Sequence, residues 1–371
     1  MRYYIIILFT VLLLNSGCNN NNNEYLNGRL VEYESFNNIQ NVSCSPIDII
    51  DKHLCSGMMS VRDSLLVFSN SQFADAYVRV INLNTGKGIA TLCPKGHSDN
   101  TYSNEARHFE QFEERNGDIC LWVHNVLKSF DLVNITKSMD EGITIYEDKI
   151  PFNELDICHT SFGLASIYSL DNGETLCNIL CHYKNAQDEE YIPNYLSVYN
   201  KDFKQENRIY KLYNKCVINP TLPPMDYPYI FLASCYAISP NKQYVAWGLN
   251  NADMVNILNI KNGSIKGLQR TGELRIEDMT GQISEDSPEY YIKKICCDNQ
   301  YIYAMYYGHM PRDRELTFYT DRIHVFDWSG NPVSELRLSK PICNMALDAE
   351  NSILYGQNEL EEEIYKINFK L

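Results

Sequence analysis

The sequence predicts an all-β protein, a six-bladed β-propeller built of four-stranded blades. Three observations carry that expectation. An alternating apolar strand ending in Asn or Asp beside a turn recurs six times: Val78–Asn82, Lys128–Asp131, Leu196–Asn200, Val255–Asn259, Ile323–Asp327 and Ile364–Asn368. Upstream of each lies a pair of strand-like runs joined by a polar turn, so the repeating unit reads as the meander of a propeller blade. Tyrosine is abundant, 27 residues against 14 Phe and 3 Trp, and its half-polar ring suits pleated surfaces and binding faces.

From the N-terminus, Met1-Arg2-Tyr3-Tyr4 precedes an apolar run from Ile5 to Leu14 and then Asn15-Ser16-Gly17-Cys18. A basic start, an apolar stretch too short to span a bilayer and small residues before a cleavage point describe a signal peptide over 1–17. Ser16-Gly17-Cys18 resembles a bacterial lipobox, with Asn15 standing where that pattern usually has Leu. Cys18 is therefore the expected lipid anchor and membrane contact, followed by an Asn-rich tether over 18–27. Residues 28–371 are expected to form a single propeller domain.

Within that domain the paired strands are Met58–Val61 with Leu65–Ser69, Phe109–Phe112 with Ile119–Val123, and Leu164–Ser169 with Leu176–His182. The series continues with Cys235–Ile238 and Tyr244–Gly248, Ile292–Cys297 and Tyr301–Tyr307, and Ile342–Leu347 and Ile353–Gly356. Ser239-Pro240-Asn241-Lys242 and Asp348-Ala349-Glu350-Asn351 supply tight turns. Asn84-Thr85-Gly86-Lys87 reads as a hairpin turn into a fourth strand. The last unit stops at Leu371 after its third strand, and Gly28–Ser35 is predicted to supply the missing one, because a ring must close to hide its edges.

The stretch from Arg322 to Leu371 carries Ile323-x-Val325-Phe326-Asp327-x-x-Gly330-Asn331-Pro332 and later Asp348 six residues before Leu354-Tyr355. It resembles the TolB-like six-bladed propeller lipoproteins of Bacteroides-type bacteria. The resemblance implies a propeller on the cell envelope and supplies no catalytic residues. The five Asn and one Glu after Cys18 are less acidic than the tails expected of surface-exported lipoproteins, so the periplasmic side of the outer membrane is expected. Relatives often carry a Gly-x-Gly-Pro-rich loop after the first blade, and here that place reads Cys93-Pro94-Lys95-Gly96-His97-Ser98.

The formal net charge of −15, without a cluster of Lys and Arg, argues against a nucleic-acid partner. The 13 cysteines lack the spacing of a disulfide scaffold and mostly sit in apolar strand-like runs, as small buried hydrophobes do. Neither a cofactor nor a metal is called for, and motifs for metalloprotease, serine-hydrolase or phosphate-binding chemistry are absent. His97 and His108, with Glu105, Arg107 and Glu110, read as a solvated polar loop, although those residue types could form a site.

In such a meander the second-to-third and fourth-to-first connections share one face of the disc, and the longest ones fall there: 183–195, 213–231, 267–290 and 308–321. The candidate ligand-binding residues on that face are Asn125, Tyr183, Asn250, Tyr306, His309 and Arg312. The expected function is a non-enzymatic binding or scaffolding role toward a protein or glycan partner. An envelope polysaccharide hydrolase or lyase, with carboxylates at the channel mouth, is the alternative.

Overall fold

The computed structural model describes residues 25–103, 105–126, 128–152, 164–180, 194–202, 204–214, 234–273, 288–291, 293–308 and 319–371. Two N-terminal strands, β1 (Arg29–Tyr33) and β2 (Ile39–Ile47), precede a series of antiparallel meanders. The first is β3 (Met58–Arg62), β4 (Leu65–Ser69), β5 (Ala76–Asn82) and β6 (Lys87–Pro94). The second is β7 (Ala106–Arg115), β8 (Asp118–Asn125), β9 (Ser129–Asn134) and β10 (Ile145–Pro151), with helix α1 (Ile135–Glu141) between its last two strands. A third four-stranded sheet holds β11 (Leu164–Ser169), β12 (Thr175–Leu180), β13 (Asn194–Tyr199) and β14 (Gln205–Lys211).

The next meander, β15 (Ser234–Ile238), β16 (Tyr244–Leu249), β17 (Met254–Asn259) and β18 (Ile265–Arg270), gains β1 as a parallel fifth strand on its outer edge. The remaining strands form one eight-stranded sheet. β19 (Ile295–Cys297), β20 (Tyr301–Met305), β21 (Thr320–Asp327) and β22 (Pro332–Ile342) make one half, and β23 (Asn344–Asp348), β24 (Ile353–Asn358) and β25 (Glu363–Asn368) the other. β2 joins them, pairing parallel to β22 through Ile39–Val42 and antiparallel to β25 through Ser43–Ile47.

That arrangement corrects the expectation for Gly28–Ser35. The strand in that stretch does not complete the last meander; it lies on β18, and β2 takes the place beside β25. The segment from Leu26 to Ile47 thus runs as a strap over successive outer edges, covering backbone groups that would otherwise offer unpaired hydrogen bonds.

Period-two alternation places the core. In β4 every residue is buried, yet Leu65 and Val67 pack with the second sheet through Leu121 and Val123, while Leu66 and Phe68 pack with Ala346 and Tyr355. In β16, Val245 and Trp247 face Tyr168, Leu176 and Leu196, and Ala246 faces Ile295 and Phe326 on the opposite side. Each sheet therefore buries both faces against two neighbours, and the interface between β3–β6 and β23–β25 returns the chain to its start. The fold is an all-β propeller, with apolar layers between radial sheets and the first strand of each meander toward the centre.

The recurring Asn or Asp has a local cause. The Oδ1 atoms of Asn82, Asn200, Asn259 and Asp327 accept backbone N–H groups two to four residues ahead, closing the turn into the fourth strand. Asp131 departs from this pattern: it sits buried in mid-strand and accepts a bond from the Tyr102 hydroxyl at 2.8 Å. Here α1 makes the turn instead, with the Asn134 side chain accepting from the Lys137 N–H and Gly142 ending the helix at φ 69°.

Candidate binding cavity

The first strands enclose a central cavity of about 900 Å³, within the size range of small-molecule sites. Its walls draw on β3, β7, β11, β15, β19 and β23. Glu105, Arg107, Lys293 and Lys294, at or just before the starts of first strands, lie toward one end. Arg62, Lys242, Asn299 and Glu350, at the ensuing turns, lie toward the other.

β7 shapes the interior. Its register on β8 slips between His108 and Phe112, and Glu110 takes φ +59°, a left-handed conformation that costs a non-glycine residue on the order of 1 kcal/mol or more. The bulge carries Glu110 toward Lys294 across the cavity, with Nζ 2.5 Å from Oε1; Lys294 also donates to the Met59 carbonyl at 3.2 Å. Burial raises the Glu110 carboxyl above its usual range while Lys294 pulls the other way. Stripping either partner from a pair this buried costs about 3–5 kcal/mol, so an incoming ion does not displace one cheaply.

Beside the bulge His108 is fully buried, and its Nε2 lies 3.1 Å from the Met58 carbonyl. A carbonyl only accepts, so Nε2 carries the proton and Nδ1 is a lone-pair acceptor, which has no partner among the described residues. Burial, helped by Lys294, lowers His108 to about 3 and keeps it neutral. Gln111 donates to the Ser169 carbonyl at 2.5 Å and accepts from its N–H at 2.7 Å, pinning β7 to β11. The Ser166 and Tyr168 hydroxyls, two residues apart on β11, find no hydrogen-bond partner among the described residues.

Charges around the cavity are matched. Arg107 pairs with Glu105 at 2.7 Å, Arg62 with Glu350, and Lys242 with Glu113 at 3.1 Å. Lys293 is opposed by Glu289. Although burial opposes it, hydrogen bonds from Trp122, Lys242 and Arg115 hold the Glu113 carboxyl below its usual range.

The solvated-loop expectation is thus overturned for Glu105, Arg107, His108 and Glu110, which all line the cavity; His97 stays exposed and apart. The sequence signal was present in the cluster itself, but its partners Met58, Met59 and Lys294 lie on other sheets.

The expected ligand residues fall elsewhere. Tyr183, His309, Arg312 and the Cys18 anchor lie outside the described residues, as do most of the long loops. Asn125 is buried and Asn250 half-buried at the ends of second strands, away from the cavity lining, and each side-chain oxygen lacks a partner among the described residues. Asn70 and Asn358, at the ends of β4 and β24, spend their amides on neighbouring groups, Asn70 on Ser56 and Gln72 and Asn358 on Pro341 and Glu361.

Tyr306 belongs to a buried polar ring between β15–β18 and β19–β22, stacked on His324 at 3.9 Å. Arg270 can only donate, so its contact with His324 Nε2 at 3.2 Å makes that nitrogen the acceptor. His324 Nδ1–H then donates to the Tyr291 oxygen at 3.0 Å, and the Tyr291 hydroxyl donates to Asp253 at 2.8 Å. Asp253 closes the ring on Arg270 at 3.4 Å. Burial pushes Asp253 up to about 6 against the pull of Arg270, and lowers His324 to about 4.

The nine described cysteines are unpaired, and no group of three metal-ligating side chains comes together among the described residues. No described helix is long and apolar enough to cross a membrane.

No family model matches the chain, and no curated protein does. Among solved structures it is similar to a protein of Bacteroides fragilis described as exported, at 10% identity and TM-score 0.53, over 92% of this chain and 100% of that one. It is also similar to a member of the DUF4221 family from Bacteroides vulgatus, at 11% identity and TM-score 0.52, over 90% of this chain and 97% of that one. Such identities establish kinship of fold alone.

Proposed function

We propose that this chain is a cell-envelope lipoprotein of the TolB-like type, a six-bladed propeller that binds or scaffolds a protein or glycan partner without catalysis. The blade count treats the eight-stranded sheet as two blades bridged at their outer edges by β2, and the closing interface between β3–β6 and β23–β25 supports it. The N-terminal leader and Cys18 support anchoring at the outer membrane, periplasmic side. The partner approaches the face of the long connections, where Glu105, Arg107, Lys293 and Lys294 close one end of the cavity.

One observation carries the binding reading: each carboxylate lining the cavity is held by a cation, Glu105 by Arg107, Glu110 by Lys294 and Glu350 by Arg62. General acid–base work on a glycosidic bond needs two carboxyls free to exchange protons with substrate. The raised Glu110 carboxyl is the single feature favouring the hydrolase or lyase reading.

The deciding assay incubates the domain from Glu24 onward with envelope polysaccharide and follows binding together with release of reducing ends and unsaturated uronates. Binding without product is expected. Product formation that Glu110→Gln abolishes would overturn the reading.

A further inference from the structure

We propose that the central cavity holds a neutral, hydroxyl-rich ligand, a short uncharged glycan, in preference to an anionic one. The inference rests on the binding reading above and assigns its ligand class. Two half-buried aromatic rings, Phe109 on β7 and Tyr236 on β15, line the cavity and offer apolar faces to the C–H surface of a sugar ring.

Beside them lie three buried polar atoms with unfilled hydrogen-bonding capacity: His108 Nδ1, Ser166 Oγ and the Tyr168 hydroxyl. The tautomer that bonds the Met58 carbonyl leaves His108 Nδ1 an acceptor. A sugar hydroxyl donates to it and can accept from Ser166 or Tyr168 in turn, whereas a carboxylate or sulfate presents lone pairs to a lone pair. The cations of the wall add no anion site, because Lys294, Arg107, Arg62 and Lys242 are already matched by Glu110, Glu105, Glu350 and Glu113, and Lys293 is opposed by Glu289. Buried polar groups left unfilled are costly, and a hydroxylated guest supplies their partners.

The test is calorimetric titration of the domain from Glu24 onward with neutral trisaccharides (xylotriose, mannotriose and chitotriose) and with trigalacturonate and a sulfated heparin disaccharide. At least one neutral probe is expected to bind with an affinity that changes less than twofold between 50 and 500 mM salt. Tyr236→Ala and Ser166→Ala are each expected to weaken it tenfold or more, with circular dichroism and melting showing both variants folded. Phe109→Leu, which keeps apolar volume but removes the ring, serves if Tyr236→Ala does not fold.

Salt-sensitive binding of the anionic probes alone, no binding by any neutral probe, or neutral binding untouched by these substitutions overturns the inference. The binding reading fails separately: cleavage of a bound neutral probe defeats it while leaving the ligand class intact, and capture of an envelope protein with no sugar binding does the reverse.

Discussion

Replacing Lys294 with Met isolates the electrostatic core of the cavity. The Lys294 and Glu110 side chains are only 12% and 16% exposed, so removing the ammonium leaves a carboxylate with little water and no counter-ion. Breaking such a pair costs about 3–5 kcal/mol. For a domain of this length, unfolding entropy near 2.1 cal/mol/K per residue gives about 0.7 kcal/mol/K, so the expected fall in Tm at pH 7 is roughly 4–7 °C.

Protonation limits the damage. Without Lys294 the folded-state pKa of Glu110, already raised by burial, rises further above its unfolded value. A raised carboxyl costs stability as pH climbs and releases that cost as pH falls, so the deficit of Lys294→Met should shrink from pH 8 to pH 5. Glu110→Gln combined with Lys294→Met removes both charges and should recover more than half of the loss. Scanning calorimetry at three pH values reads all of this. A single variant as stable as the parent, or a double variant no better than the single, would refute the claim that the pair is desolvated and mutually dependent.

Other outcomes follow from the same structure. His108, His124 and His324 are held near 3, 3 and 4 by burial, so the folded state binds fewer protons than the unfolded state between those values and about 6.5. Their contribution is complete above pH 6.5 and is lost as pH falls, on the order of 2 kcal/mol each by pH 5. Asp253, raised to about 6, offsets roughly 1–1.5 kcal/mol over the same interval. Urea midpoints at pH 7 and pH 5 should therefore differ in favour of pH 7, and equal midpoints contradict the burial argument. Gln111→Ala leaves the Ser169 carbonyl and N–H short of partners and should cost about 1–3 kcal/mol in urea melts, with Gln111→Glu no rescue. A truncated chain beginning at Asp48 uncovers the outer edges of β18, β22 and β25, and light scattering should show it associating where the longer chain does not. Cys18→Ser should move the protein from the membrane to the soluble envelope fraction; unchanged membrane fractionation would argue against lipidation.

Local patterns were legible wherever a residue acts on its own neighbourhood. Asn82, Asn200, Asn259 and Asp327 marked third strands because their side chains close the turn that follows. The two N-terminal strands were not assigned correctly for the opposite reason. Arg29–Tyr33 alternates well enough for any sheet edge, and nothing within five residues says whether the edge is that of β18 or β25, or whether pairing is parallel. β2 was missed as a strand, with Pro46 in a run of mixed polarity that an edge position tolerates.

The cavity was harder still. Each first strand contributes a few residues, so Glu110 and Lys294, 184 positions apart, carry no shared spacing to detect. The left-handed Glu110 also hides from inspection, because glycine is the residue that advertises such a backbone. Asn125 and Asn250 are expected among the ligand residues of the long-loop face, yet the second strand stands one layer back from the centre, and polar groups lining the cavity come from first strands such as β7.

The most direct test of a binding propeller centred on this cavity is a crystal structure of the domain from Glu24 onward, grown with the best-binding neutral trisaccharide. The account predicts six four-stranded blades, Lys294 and Glu110 joined across the channel, and an intact sugar against Phe109 and Tyr236. A different blade number, or a sugar seated only on the outer rim with the cavity unoccupied, would contradict it.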